Sequence, residues 1–201
     1  MKTKILGLIL AFAPALALAQ MAPPNPNPAA VKPGTYQVEP VHTRLIFAIS
    51  HMGFTTWYGD FTHITGTLTI DPKNIQAASL SISIPVDSVT TTNAKLDSEL
   101  KSAAWFDPAE YPNIIFKSTT VVQTGTGSAD VTGDLSFHGV TKPETLHVTF
   151  NASGVNFLSK QYTIGFNATG ELKRSDFNMK IFLPALGDDV SLIISAAFVQ
   201  P

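Results

Sequence analysis

Apolar side chains occupy alternate positions in one segment after another: Leu135 and Phe137; Leu146, Val148 and Phe150; Ile164, Phe166 and Ala168; Val190, Leu192, Ile194, Ala196 and Phe198. A repeat of two is that of a β-strand with one face buried. Strands are expected over about 35–39, 43–51, 62–70, 78–87, 114–123, 129–138, 144–151, 161–172 and 189–199. Turn residues separate many of these runs, as in Asp71-Pro72-Lys73-Asn74, Gly125-Thr126-Gly127-Ser128, Gly139-Val140-Thr141-Lys142-Pro143 and Asn151-Ala152-Ser153-Gly154. Such short connections favour antiparallel neighbours, so the pattern predicts an all-β antiparallel barrel of about eight strands. A barrel of this kind is either a packed core or a container for an apolar guest.

One stretch departs from the strand period. Between Thr92 and Ala104 the apolar residues Leu96, Leu100 and Ala103 recur at helical spacing, Asp97 and Lys101 form an i, i+4 pair, and Thr92 or Asn93 is placed to cap the start. A short amphipathic helix is expected there. Trp105-Phe106-Asp107-Pro108 follows it, an aromatic pair and a helix-stopping turn that would fold the helix over one opening of the barrel.

The first residues change the picture of where the barrel works. Lys2 and Lys4 precede an uncharged run from Ile5 to Ala19, and Ala17-Leu18-Ala19 supplies a small-x-small cleavage pattern before Gln20. Residues 1–19 read as a secretory signal peptide, too short for a membrane anchor, which needs about 20 apolar residues. No stable membrane insertion is expected of the remainder. Residues 20–33, with Pro23, Pro24, Pro26, Pro28 and Pro33, read as a disordered proline-rich linker, and 34–201 as one barrel domain. The chain has no cysteine, which excludes disulfides, thiolate metal sites and an acylated N-terminal cysteine. A net charge of −2 offers no footprint for nucleic acid.

Catalytic signatures are largely missing. There is no G-x-S-x-G elbow, P-loop or H-E-x-x-H, and Gly125-Thr126-Gly127 reads as a hairpin turn. Asp188 and Asp189 fall in a turn after Gly187, and Asp97 and Glu99 lie on different sides of the helix. His63, His138 and His147 share parity with outward-facing residues, which argues against convergence on a metal. His42 and Arg44 share one face of their strand and His51 lies on the opposite, apolar one. His51 reads either as a core histidine satisfied by backbone groups or as a polar contact at the rim of a cavity; the first is favoured because buried polar groups are nearly always paired. No cofactor and no metal are called for.

The ordered set Tyr36-Gln37-Val38-Glu39-Pro40-Val41-His42, Phe47-Ala48-Ile49-Ser50-His51-Met52-Gly53, Gly59-Asp60-Phe61, Gly66-Thr67-Leu68, Trp105-Phe106-Asp107, Tyr111-Pro112-Asn113-Ile114-Ile115-Phe116-Lys117-Ser118, Gly133-Asp134-Leu135-Ser136-Phe137-His138-Gly139-Val140-Thr141-Lys142-Pro143 and Arg174-Ser175-Asp176-Phe177 resembles the YceI-like family of bacterial periplasmic proteins. The resemblance implies a lipocalin-like barrel whose interior binds long amphipathic lipids, polyisoprenoids above all, with no catalytic residues to carry over. Asn178 departs from it, standing where the family commonly has Gly, and Asn is the residue that best tolerates positive φ in glycine's place.

These readings converge on a periplasmic, non-enzymatic lipid-binding protein. Thirteen Phe against two Trp and four Tyr suit a hydrocarbon lining. The tail is expected beside Phe47, Ile49, Phe61, Phe116, Phe137 and Phe166, with His51, Phe54 and Phe177 nearby and the head at an opening framed by Trp57, Phe106 and Arg174. Arg174 is expected either to hold a polar head or to pair with Asp176 at the surface. A container for a very long tail is also a candidate homodimer. Two other readings stay open: a filled barrel acting through its surface and its proline-rich arm, and a lipid-acting enzyme with His51 as base.

Overall fold

The computed structural model describes residues 23–201, so the signal peptide expected over 1–19 lies outside the described residues. Ten antiparallel strands form a single sheet: β1 (Gly34–Val38), β2 (Arg44–His51), β3 (Thr55–Phe61), β4 (Thr65–Ile70), β5 (Ser79–Pro85), β6 (Asn113–Gly125), β7 (Ser128–Phe137), β8 (Val140–Val155), β9 (Tyr162–Lys173) and β10 (Leu186–Val199). One helix, α1 (Ala94–Leu100), interrupts them.

The sheet closes because β10 holds two strands on one edge. Val38 of β1 lies opposite Phe198, while Arg44 to His51 of β2 lie opposite Ser195 to Leu186. Beyond them β4 pairs with β1 and β3 with β2, so ten strands fill the positions of a closed eight-stranded antiparallel barrel. Closure leaves few free edges, which is how a sheet this long avoids pairing with other chains. The alternation read from the sequence sets the inward face: along β7 Val131, Leu135 and Phe137 are buried, and along β9 Ile164 and Ala168 are.

β3 has no strand on its outer side apart from the Asp60–Thr90 bridge. The chain from Val86 to Phe106 lies over that opening and buries Val86, Val89, Leu100, Trp105 and Phe106. Asn93 is the cap of α1, its Oδ1 accepting from the Lys95 and Leu96 amides at 3.1 and 3.3 Å. Asp97 turns back to the preceding loop and accepts from the Thr91 amide at 2.6 Å and the Thr91 hydroxyl at 2.7 Å. Those bonds hold its carboxyl below the ordinary value.

Two expectations need correction. Residues 55–61 carry no strand in the sequence reading; they form β3. Gly59 is the residue the packing requires, since a Cβ there would stand 2.2 Å from Cζ of Phe47, and a glycine inside a strand marks such a close approach. The second is the linker. Residues 23–33 are a strap docked on the barrel: Asn25 exchanges two backbone hydrogen bonds with Ser153 at 2.7 and 2.9 Å, and Pro28–Ala30 form a 3₁₀ turn capped by Asn27. Val31 is buried, and the Tyr36 and Tyr162 hydroxyls donate to Lys32 O at 2.6 Å and Ala30 O at 3.1 Å. Proline density sets an extended backbone but does not exclude docking where acceptors and an apolar seat exist.

Candidate functional site

The inward faces of the strands do not meet. They enclose a cavity of about 950 Å³ whose wall is almost wholly apolar. Well-packed interiors leave few voids larger than a water molecule, and ligand pockets occupy roughly 300–1,000 Å³, so this is a container by size. It runs between two ends. At the helix end stand α1, the β2–β3 turn and the β9–β10 connection, joined by the Met52 N to Ala185 O hydrogen bond of 2.9 Å. At the strap end Asn27, Pro28, Ala29 and Val31 line it together with the β6–β7 turn.

Seven of the residues read from the sequence, Phe47, Ile49, Phe61, Phe106, Phe116, Phe137 and Phe166, line the wall. Phe106 lies inside rather than framing an opening: its ring stacks with Phe47, Phe61 and Phe137 at centroid distances of 6.2, 5.7 and 5.7 Å. Such tilted and edge-on contacts between rings favour a fixed arrangement over a mobile one. His51 and Trp57 meet at the rim, 6.3 Å apart. His51 is exposed there, so the cavity-rim alternative describes it and the core-histidine one does not.

Phe54 and Phe177 are placed elsewhere. Phe54 sits on the tip of the β2–β3 turn, exposed and off the cavity wall. Phe177 is fully buried behind the wall, 5.8 Å from Phe137. It occupies a 3₁₀ turn ended by Asn178 at φ 64°, the left-handed conformation that Asn accepts in glycine's place.

Arg174 corrects the surface-pair expectation. It is 3% exposed, lines the cavity and donates to three carbonyls: Nε to Gly187 O at 2.8 Å, Nη1 to Met179 O at 2.8 Å and Nη2 to Leu186 O at 3.2 Å. Asp176 pairs instead with Lys142 at 2.6 Å. Burial pushes the guanidinium below its ordinary value, and the nearby Asp188 carboxylate offsets part of that. Asp188 in turn accepts from the Ser175 amide and hydroxyl at 2.9 and 2.8 Å. It belongs to β10, not to a free turn.

Glu144 was missed. It shares parity with Leu146, Val148 and Phe150 and lines the cavity, half-buried, while Asp176 and Lys142 act on it electrostatically. Parity was the signal that could have found it. Among the described residues no group of three His, Cys, Asp or Glu is gathered as a metal site, and no helix is long and apolar enough to cross a membrane.

The model of the YceI-like domain matches residues 36–198, which span β1 to β10 and the whole cavity wall apart from the strap. The chain belongs to the YceI-like family. The protein YceI of Escherichia coli O157:H7 is 39% identical over 159 residues, covering 79% of this chain and 82% of that one. Among solved structures, the YceI protein of Campylobacter jejuni superposes with a TM-score of 0.65 at 26% identity, covering 76% of this chain and 90% of that one. A structure described as a polyisoprenoid binding domain from Saccharophagus degradans gives 0.64 at 15% identity, covering 85% of this chain and all of its own. At that identity the likeness is one of fold.

Proposed function

We propose that this YceI-like barrel is an exported, periplasmic, non-enzymatic carrier of a long-chain amphipathic lipid, a polyisoprenoid or a lipid of similar build. The observation that carries the reading is the apolar cavity of about 950 Å³ that runs through the barrel and reaches exposed residues at both ends. The polyisoprenoid-binding description of the Saccharophagus degradans neighbour supports the lipid class. The sequence of Lys2, Lys4 and the apolar run to Ala19 supports export.

The tail lies along the phenylalanine wall and the head at the helix end, where Arg174, Glu144 and His51, together with Lys95 and Glu99 of α1, supply polar groups. Each methylene moved from water gains about 0.8 kcal/mol, but a bilayer offers nearly the same, so affinity over the membrane comes from shape and from head contacts. Arg174 spends three of its five N–H donors on carbonyls and keeps the others for an anionic or carbonyl oxygen. Native mass spectrometry of protein purified without detergent tests the reading. A lipid-sized mass above the polypeptide, recovered by organic extraction, is expected; the bare polypeptide mass alone overturns it.

A further inference from the structure

The helix end carries a second feature that a closed container does not need. Met52, Phe54, Trp57 and Phe182 are 54, 85, 36 and 58% exposed, although all are large apolar side chains. Three of them, Met52, Trp57 and Phe182, also line the cavity. Met52 and Phe54 stand on the β2–β3 turn, Trp57 at the start of β3 and Phe182 on the β9–β10 connection; the Met52 to Ala185 hydrogen bond ties the turn to that connection, and Phe182 packs on buried Trp105 at 6.1 Å.

The geometry points to this rim as a docking surface for the face of a lipid bilayer, across which the cavity is loaded and emptied. This rests on reading the cavity as a lipid site. The β2–β3 connection holds Phe54 at its tip: Met52 and Gly53 adopt φ of 55 and 71°, the Phe54 amide donates to His51 O at 3.0 Å, and His51 pairs with Thr55, so Phe54 is the last residue of a three-residue hairpin connection. Apolar side chains on convex tips enter an interface of head groups and acyl chains, with tryptophan at the boundary. A lipid passing over Met52, Trp57 and Phe182 moves from acyl chains to cavity wall without crossing water.

A second copy of the chain is the weaker occupant. A stable dimer buries about 20–30 residues a side, and here only four large apolar side chains are exposed at the rim. Charge does not select the surface either: Lys95 and Glu99 both line this end and oppose one another. Docking is therefore expected to be alike on neutral and on anionic bilayers.

The test uses protein recovered after export and vesicles of phosphatidylcholine, with and without phosphatidylglycerol. The variant Phe54→Ser, changed at the one rim side chain off the cavity wall, is expected to lower vesicle partitioning by roughly tenfold on both compositions while its melting temperature and its co-purifying lipid mass stay as in the parent protein. Brominated phosphatidylcholine is expected to quench Trp57 emission in the parent, and Trp57→Phe to remove that quenching, since Trp105 is buried. Equal partitioning of variant and parent, or no quenching of Trp57, overturns the proposal. So does a concentration-dependent self-association of the parent that Phe54→Ser abolishes, which would assign the rim to a second copy. Loss of the co-purified lipid in the parent itself is a separate failure, that of the carrier reading.

Discussion

Arg174 looks from its neighbours like an ordinary surface cation beside Asp176, yet it is buried and bonded to three backbone carbonyls, that of Met179 in the β9–β10 connection and those of Leu186 and Gly187 at the start of β10. Arg174→Met leaves those carbonyls without their donor and is expected to cost about 3 kcal/mol in urea denaturation, with Arg174→Lys recovering little because a point charge cannot reach all three. Glu144 behaves in the opposite sense. Burial, reinforced by Asp176 and opposed by Lys142, raises its carboxyl above the ordinary value. The native state thus keeps this proton where the unfolded chain has released it, and stability falls as pH climbs from the usual glutamate range through the raised native value. Glu144→Gln is expected to melt higher than the parent at neutral pH, with the gap closing in acid; melting curves from about pH 4 to about pH 8 check it. A constant gap would place the effect in packing instead of ionisation. The phenylalanine wall was legible at this scale because parity is local. Phe54 and Phe177 were not, since turns carry no parity.

At the scale of elements, the strands were legible wherever alternation ran on and were lost where glycine interrupted it. β3 went unseen because Gly59 looks like punctuation, whereas it lets the Phe47 ring lie flat on the backbone. Gly59→Ala is expected to drive that ring from its place and destabilise the barrel by ~1–3 kcal/mol, read by chemical denaturation. Bulges impose a second limit. The register shift between Ser118 and Thr120 turns Val121 inward and Val122 outward, reversing the parity that buries Ile114 and Phe116. The strap shows a third, because its partners Ser153 and Tyr162 come from distant parts of the chain. Val31→Asp is expected to loosen it without unfolding the barrel, so that limited proteolysis cuts near residues 23–33 in the variant and spares the parent. Equal resistance of the two would show that Val31 does not anchor the strap.

For the whole molecule the decisive quantity is free volume. A barrel of eight strands is just wide enough to be filled by its own side chains or to hold one small ligand. Here it stays hollow, with Ala168 keeping part of the inner surface small. Ala168→Trp places a large ring in the lumen and is expected to abolish lipid co-purification in native mass spectrometry while circular dichroism still reports a folded β-protein. Retention of the lipid would move the site off the cavity and favour action through the outer surface. The docked strap weakens the alternative in which a free proline-rich arm does the work, at least for residues 23–33.

The sequence by itself determined the fold class, the antiparallel order, the short helix after Thr92 and the family, because each rests on local periodicity, turn chemistry or ordered motifs; of its two cap candidates the structure chose Asn93. Tertiary structure alone decided that the centre is a lumen, that Arg174 faces it while bonded to backbone, and that residues 23–33 dock along one end of it. The reason is physical: parity says which way a side chain points, but the distance to the opposite wall depends on how the strands are tilted and staggered around the barrel, a property of the closed sheet that no single segment encodes.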